Sequence, residues 1–204
     1  MRWVVLSVAL LFGGLGANAA DAAAGAGNYA LCSSCHGAAG EGIVAMNGPK
    51  LAGQKDWYLK NQLLAFKSGI RGAAPGDQLG AQMRGMAMTL ADDAAVENVI
   101  AYITGLPKGD SPVTVQGDAD RGKSLYPLCG TCHGVNGEGN AAVNGPRLAG
   151  QNDWYLVSQL DKFKKGLRGA SAGDTLGAQM RSMAMTLADD QAIRDVVSYI
   201  NTLP

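Results

Sequence analysis

Cys32-Ser33-Ser34-Cys35-His36 and, 97 residues later, Cys129-Gly130-Thr131-Cys132-His133 decide how this chain is read. The two runs hold all four cysteines and both histidines of the 204 residues. No thiol is left for a disulfide or a nucleophile, and no imidazole is left for a general base. Two thiols with two residues between them, on a helical turn, reach the two vinyl groups of one porphyrin. The histidine that follows then lies beneath the iron as an axial ligand. Each run is therefore read as a covalent c-type haem attachment site. Cys32, Cys35 and His36 serve the first haem, and Cys129, Cys132 and His133 serve the second.

The rival readings fit less well. Zinc ribbons place their CxxC pairs about 15–20 residues apart, far closer than here. A thioredoxin-like redox pair needs a βαβ context, and no β-branched run flanks either motif. A disulfide framework belongs to short secreted chains with poor cores, whereas this chain is longer and helix-patterned.

Outward from the motifs, the chain is written twice. Residues 28–107 align with residues 125–204 without a gap, and roughly 50 of 80 positions are identical. A unit of about 80 residues is small for an independent domain, and an apolar haem face supplies core that the chain lacks. Residues 108–117, Lys-Gly-Asp-Ser-Pro-Val-Thr-Val-Gln-Gly, are rich in turn formers and read as a linker. The expected division is a signal peptide over 1–19, a first domain over 20–107, a linker over 108–119 and a second domain over 120–204.

Each copy carries three helical patterns. One precedes the haem motif, near 22–31 and 120–128. The second starts at Asp56 or Asp153 as N-cap and carries Trp57, Leu59, Leu63 and Phe66, or Trp154, Leu156, Leu160 and Phe163, on one face. Gly69 and Gly166 can close it. The third begins near Asp92 or Asp189 and carries Val96, Val99, Ile100 and Ile103, or Ile193, Val196, Val197 and Ile200. Between them the chain reads as loop. Glycine, at 29 of 204 residues, is about twice the usual ~7%. The fold class is all-α, two tandem domains of a few helices each around one covalent haem.

Residues 1–19 read as a secretory signal: Arg2, an apolar stretch from Trp3 to Leu15, and Ala17-Asn18-Ala19 as the cleavage site. The apolar stretch is shorter than the ~20 residues of a membrane span. An uncleaved anchor is the alternative, since a single arginine makes a short basic region. No other segment is apolar enough to span a bilayer. The expected location is the periplasm, with peripheral membrane association through a partner. Charge is balanced at 17 basic and 17 acidic residues, without a Lys/Arg cluster, so nucleic acid is not an expected partner.

A six-coordinate iron needs a second axial ligand, and no histidine is spare. Each copy has a methionine cluster: Met83, Met86 and Met88, then Met180, Met183 and Met185. Histidine–methionine ligation is the electron-transfer pattern, in which the thioether raises the reduction potential. Gap-filling core packing is the alternative for two of each three, and spacing alone does not choose among them.

Each copy resembles a class I cytochrome c domain of the cytochrome c4 type. The matching stretches are residues 48–54 and 145–151, Gly-Pro-Lys/Arg-Leu-Ala-Gly-Gln, and residues 83–92, from Met83 through Leu90-Ala91-Asp92. In that family the ligand methionine stands seven before the leucine preceding the last helix. The resemblance therefore implies Met83 and Met180 as distal ligands. Where the family often has a capping serine, this chain has Ala91 and Ala188, so Asp92 and Asp189 are expected to cap instead. The resemblance also implies that Pro49 and Pro146 offer backbone carbonyls to the ligand histidines. Trp57-Tyr58 and Trp154-Tyr155 are candidates for packing on the haem edge, with the tyrosines or Gln62 and Gln159 reaching a propionate. Arg71 and Arg168, or Arg84 and Arg181, are candidates for neutralising propionates, against a default of solvated surface side chains.

The function implied is that of a periplasmic dihaem electron carrier rather than an enzyme. It would pass single electrons between a quinol-oxidising complex and a terminal oxidase or other acceptor. Two alternatives stay open: the dihaem subunit of a flavocytochrome such as sulfide dehydrogenase, and a dihaem enzyme oxidising sulfur compounds.

Overall fold

The structure is a computed structural model and describes residues 20–204; the signal-peptide reading of residues 1–19 lies outside the described residues. The first half comprises α1 (Ala22–His36), α2 (Asp56–Ser68), α3 (Gln78–Met88) and α4 (Asp93–Thr104). The second comprises α5 (Ala119–Leu125), α6 (Pro127–His133), α7 (Asp153–Lys164), α8 (Thr175–Ala184) and α9 (Asp190–Ile200). Among the described residues there is no strand, only two isolated antiparallel bridges, Ile43 with Gly48 and Asn140 with Gly145. The all-α reading holds.

The repeat is exact enough that one difference stands out. Copy one runs as a single helix into its haem motif, whereas copy two breaks at Tyr126-Pro127. Pro127 takes the first position of α6, where its missing N–H costs nothing. Ala30 occupies the matching place and lets α1 continue.

Each half is built on a crossing of its first and last helices. α4 buries Val96, Val99, Ile100 and Ile103, and α9 buries Ile193, Val196, Val197 and Ile200. These i, i+3, i+4, i+7 stripes match the expected periodicity, and each such side chain contributes about 1.5–3 kcal/mol of burial. The crossing is tight because of two glycines. A Cβ at Gly25 would lie 2.0 Å from the Asn98 carbonyl oxygen, and one at Gly122 would lie 1.9 Å from that of Asp195. The same crossing is pinned by side chains. The Asp21 N–H donates to Asn98 Oδ1 at 2.7 Å, and the Asp118 N–H donates to Asp195 Oδ1 at 2.8 Å.

Two expectations about helix starts divide. Asp92 and Asp189 do cap their helices, accepting from the Ala95 and Ala192 N–H groups at 2.8 and 2.7 Å. Asp56 and Asp153 do not. They stand inside α2 and α7, whose caps are Lys55 and Asn152, and their carboxylates sit where the first-turn N–H groups favour negative charge. The larger correction is a fourth helix in each half. The methionine segments expected as loop are α3 and α8, N-capped by Asp77 and Asp174, which accept from the Gly80 and Gly177 N–H groups at 3.0 and 2.9 Å.

The connecting segment is fastened rather than free. Asp153, fully buried, accepts from the Thr114 N–H, the Thr114 hydroxyl and the Val115 N–H at 2.6, 2.6 and 2.7 Å. Lys50 Nζ reaches back from the first half to the Gly109 carbonyl at 2.8 Å.

Candidate functional site

The two CxxCH runs end α1 and α6, so in each the first cysteine, the second cysteine and the histidine fall on one helical face. Both faces line one continuous cavity of about 1170 Å³ between the halves. A usual small-molecule site takes about 300–1,000 Å³, so this space suits more than one large group.

His36 and His133 line this cavity and are buried. Nδ1 of His36 lies 2.7 Å from the Pro49 carbonyl oxygen, and Nδ1 of His133 lies 2.8 Å from that of Pro146. A carbonyl accepts only, so Nδ1 carries the proton and Nε2 is left with a free lone pair. Burial lowers both histidine pKa values, overcoming the opposing bond to proline, and this favours the neutral ligand form. Glycine makes the approach possible. A Cβ at Gly48 would lie 2.0 Å from the Cys35 carbonyl oxygen, and one at Gly145 would lie 1.9 Å from that of Cys132. At the end of each motif, the Tyr29 and Tyr126 hydroxyls donate to the Gly37 and Gly134 carbonyls at 2.7 Å. Burial of the phenol raises the Tyr126 pKa to about 12.

α3 presents Met83 and Met86 to the cavity, and α8 presents Met180 and Met183. Met88 and Met185 point away and are each 58% exposed. The helix thus reduces three candidate sulfurs to two in each half. Lys67 and Lys164 donate to the Leu90 and Leu187 carbonyls, tying the far ends of these helices to α2 and α7. Sequence reasoning passed over both lysines, although they recur at the repeat offset beside the apolar stripe.

Trp57, Tyr58, Trp154 and Tyr155 all line the cavity. Arg71 and Arg168 are not solvated surface groups. Arg71 donates to Gln62 at 2.6 Å and, across the interface, to Tyr155 at 3.0 Å and Gln159 at 2.9 Å. Arg168 mirrors it, donating to Gln159 at 3.1 Å, Tyr58 at 3.0 Å and Gln62 at 2.9 Å. Each guanidinium also stacks on a phenylalanine of its own half, Phe66 or Phe163, at 4.5 Å. Burial opposes ionisation of the Tyr155 phenol, but the charges of Arg71 and Arg168 beside it win and draw its pKa down. Arg84 and Arg181 are exposed and stand outside the cavity wall.

The residues fit a pair of haems. From each half, two thiols and one imidazole line an apolar cavity together with two thioethers. Two guanidiniums in its wall have no carboxylate within ion-pair distance among the described residues, as suits acidic substituents of a bound group.

The family model described as Cytochrome c matches residues 22–107 and again 119–204. The chain belongs to the cytochrome c family, as a tandem of two such domains. Cytochrome c4 of Azotobacter vinelandii is 36% identical over 98% of this chain and 97% of its own. The crystal structure of reduced recombinant cytochrome c4 from Pseudomonas stutzeri superposes with a TM-score of 0.70 at 32% identity, covering 91% of this chain and all of that one. A thiosulfate dehydrogenase electron acceptor from Thiomonas intermedia is 33% identical over 92% of this chain and 85% of its own. The tandem is of the cytochrome c4 type and carries two covalent haem c groups, one at Cys32/Cys35 and one at Cys129/Cys132.

Proposed function

We propose that the mature chain is a periplasmic electron carrier, passing single electrons between a quinol-oxidising complex and a terminal oxidase or other acceptor. Residues 20–107 and 120–204 form its two haem domains, joined by residues 108–119, after removal of residues 1–19. The carrying observation is that, in each half, a buried histidine and a helix bearing two methionines line the same cavity. We assign His36 and Met83 to the first iron, and His133 and Met180 to the second. That set would give each iron two protein ligands, as suits electron exchange rather than binding of a substrate at the metal.

Bound haem supplies one-electron exchange at iron, and the protein sets its potential and surroundings. His36 and His133 would hold the iron through Nε2, with the ring orientation set by Pro49 and Pro146. Met83 and Met180 would contribute a soft ligand that favours the reduced metal. Arg71 and Arg168 would balance propionate charge.

A second reading has specific support. The relative named as a thiosulfate dehydrogenase electron acceptor spans nearly the whole chain, which favours a sulfur-oxidising enzyme as one donor. The test is to mix the purified, flavin-free haem protein with thiosulfate, sulfite, sulfide and peroxide, and separately with a reduced quinol-oxidising complex, a terminal oxidase and a thiosulfate dehydrogenase. Rapid exchange with redox proteins and no turnover of small substrates is expected. Sustained oxidation of a sulfur compound by this protein alone overturns the carrier reading.

A further inference from the structure

The two halves clasp each other reciprocally. Arg71 and Arg168 exchange equivalent partners, and Gln54 and Gln151 each donate to the other half, to the Arg147 and Lys50 carbonyls, both at 3.0 Å. Among the contacts that break this two-fold pattern, such as the Lys50 N–H donating to Asn152 Oδ1 at 2.7 Å, one is an ion pair. Lys162 of α7 crosses from the second half and donates to Asp77 Oδ1 at 2.6 Å. Lys162 and Asp77 side chains are 15% and 4% exposed, so the pair is largely shielded from water. Asp77 Oδ1 is the same atom that caps α3 by accepting the Gly80 N–H. The equivalent of Asp77 is Asp174, which caps α8. The equivalent of Lys162 is Ala65, which cannot donate, and Asp174 makes no ion pair within 4 Å among the described residues.

We infer that Lys162 is a positioning residue for the distal helix of the first haem site, acting from the other domain, and that its lack of a counterpart makes the two haems unequal. The inference rests on the reading that α3 and α8 carry the distal methionines. Two physical effects follow from the geometry. Lys162 anchors the start of α3, and hence the register in which Met83 faces the cavity, to the body of the second domain. It also neutralises a buried carboxylate on the first haem's side of the interface. An anion left unbalanced there favours the ferric metal. A unit charge acting across about 10–15 Å in a medium of effective dielectric about 20 biases an equilibrium by about tenfold, and that sets the scale of the expected effect.

The test uses the full-length protein with both haems. Lys162→Gln is expected to lower the potential of the first haem relative to the second, moving the electron of the half-reduced protein toward the second haem by about tenfold. It is also expected to speed amide exchange at Gly80 and Ala81, but not at Gly177 and Ala178. Lys162→Arg should restore both properties. Ala65→Lys, which builds the missing bridge to Asp174, should raise the potential of the second haem and slow exchange at the start of α8. Equal shifts at both haems, no shift at either, or exchange changes spread across α3 and α8 alike would overturn the inference. Failure of the distal-ligand reading shows separately, as a sulfur-to-iron charge-transfer band that survives substitution of both Met83 and Met86.

Discussion

Methionine choice is decided at the level of single side chains. Met83 and Met86 are three apart on α3, so they share a face and compete for one position. The proposed assignment takes Met83, while the helix itself removes only Met88 by turning it outward. Replacing Met83 with alanine is therefore expected to abolish the sulfur-to-iron charge-transfer band of the first haem. Replacing Met86 should leave that band and cost about 2–5 kcal/mol at most, as for a packed methionine. Absorption spectra of the oxidised variants, with Met180 and Met183 as the matched pair, provide the check. The histidines needed no such arbitration. Each follows its second cysteine directly, and the residue that makes its carbonyl contact possible is a glycine that only close packing explains.

At the scale of elements, α3 and α8 were read as loop for a physical reason. Gly80 and Gly85 interrupt α3, and its inward face meets a cofactor rather than an apolar protein core, so the usual stripe is thin. Asp77 followed by Gly80 was nonetheless a legible cap. The linker shows the opposite case: turn-rich in sequence, yet held along the second domain by the Asp153 carboxylate and by the Ser111 hydroxyl, which donates to the Gly150 carbonyl at 2.8 Å. Burial works against ionisation of Asp153, but the Thr114 hydroxyl and the Val115, Thr114 and Trp154 N–H groups outweigh it and hold its pKa below the ordinary 3.8. A depressed folded-state pKa stabilises fully above the unfolded value and is lost as pH falls through the folded one. Stability from this strap should therefore be intact above about pH 4 and decline below it. Asp153→Asn is expected to lose about 1–3 kcal/mol at neutral pH and to narrow its deficit against the native protein as the pH drops below 4. Thermal melts of both proteins between pH 7 and 3 measure this. Asp56, its repeat equivalent, is exposed, and Asp56→Asn should be neutral.

For the whole molecule, the interface is a two-fold exchange of arginine, glutamine and tyrosine around a shared cavity. Hydrogen bonds from a charged donor contribute about 1.5–3 kcal/mol each, and each guanidinium makes two across the interface. Replacing Arg71 and Arg168 together with alanine is expected to uncouple the halves, so that calorimetry of the haem-loaded protein resolves two transitions in place of one. Each single variant should give an intermediate effect, because the partners it leaves unpaired belong to both halves.

Two haem sites, an all-α class and a duplicated plan were determined by sequence alone, because covalent attachment, axial ligation by the adjacent histidine and helical periodicity are all local properties of a short run of residues. Which methionines face the cavity, how Asp153 holds the linker, and how Arg71, Arg168 and Lys162 reach the opposite domain were decided only in three dimensions. Those contacts join residues about 40 to 110 positions apart, and no spacing rule within one repeat encodes a partner that lies in the other.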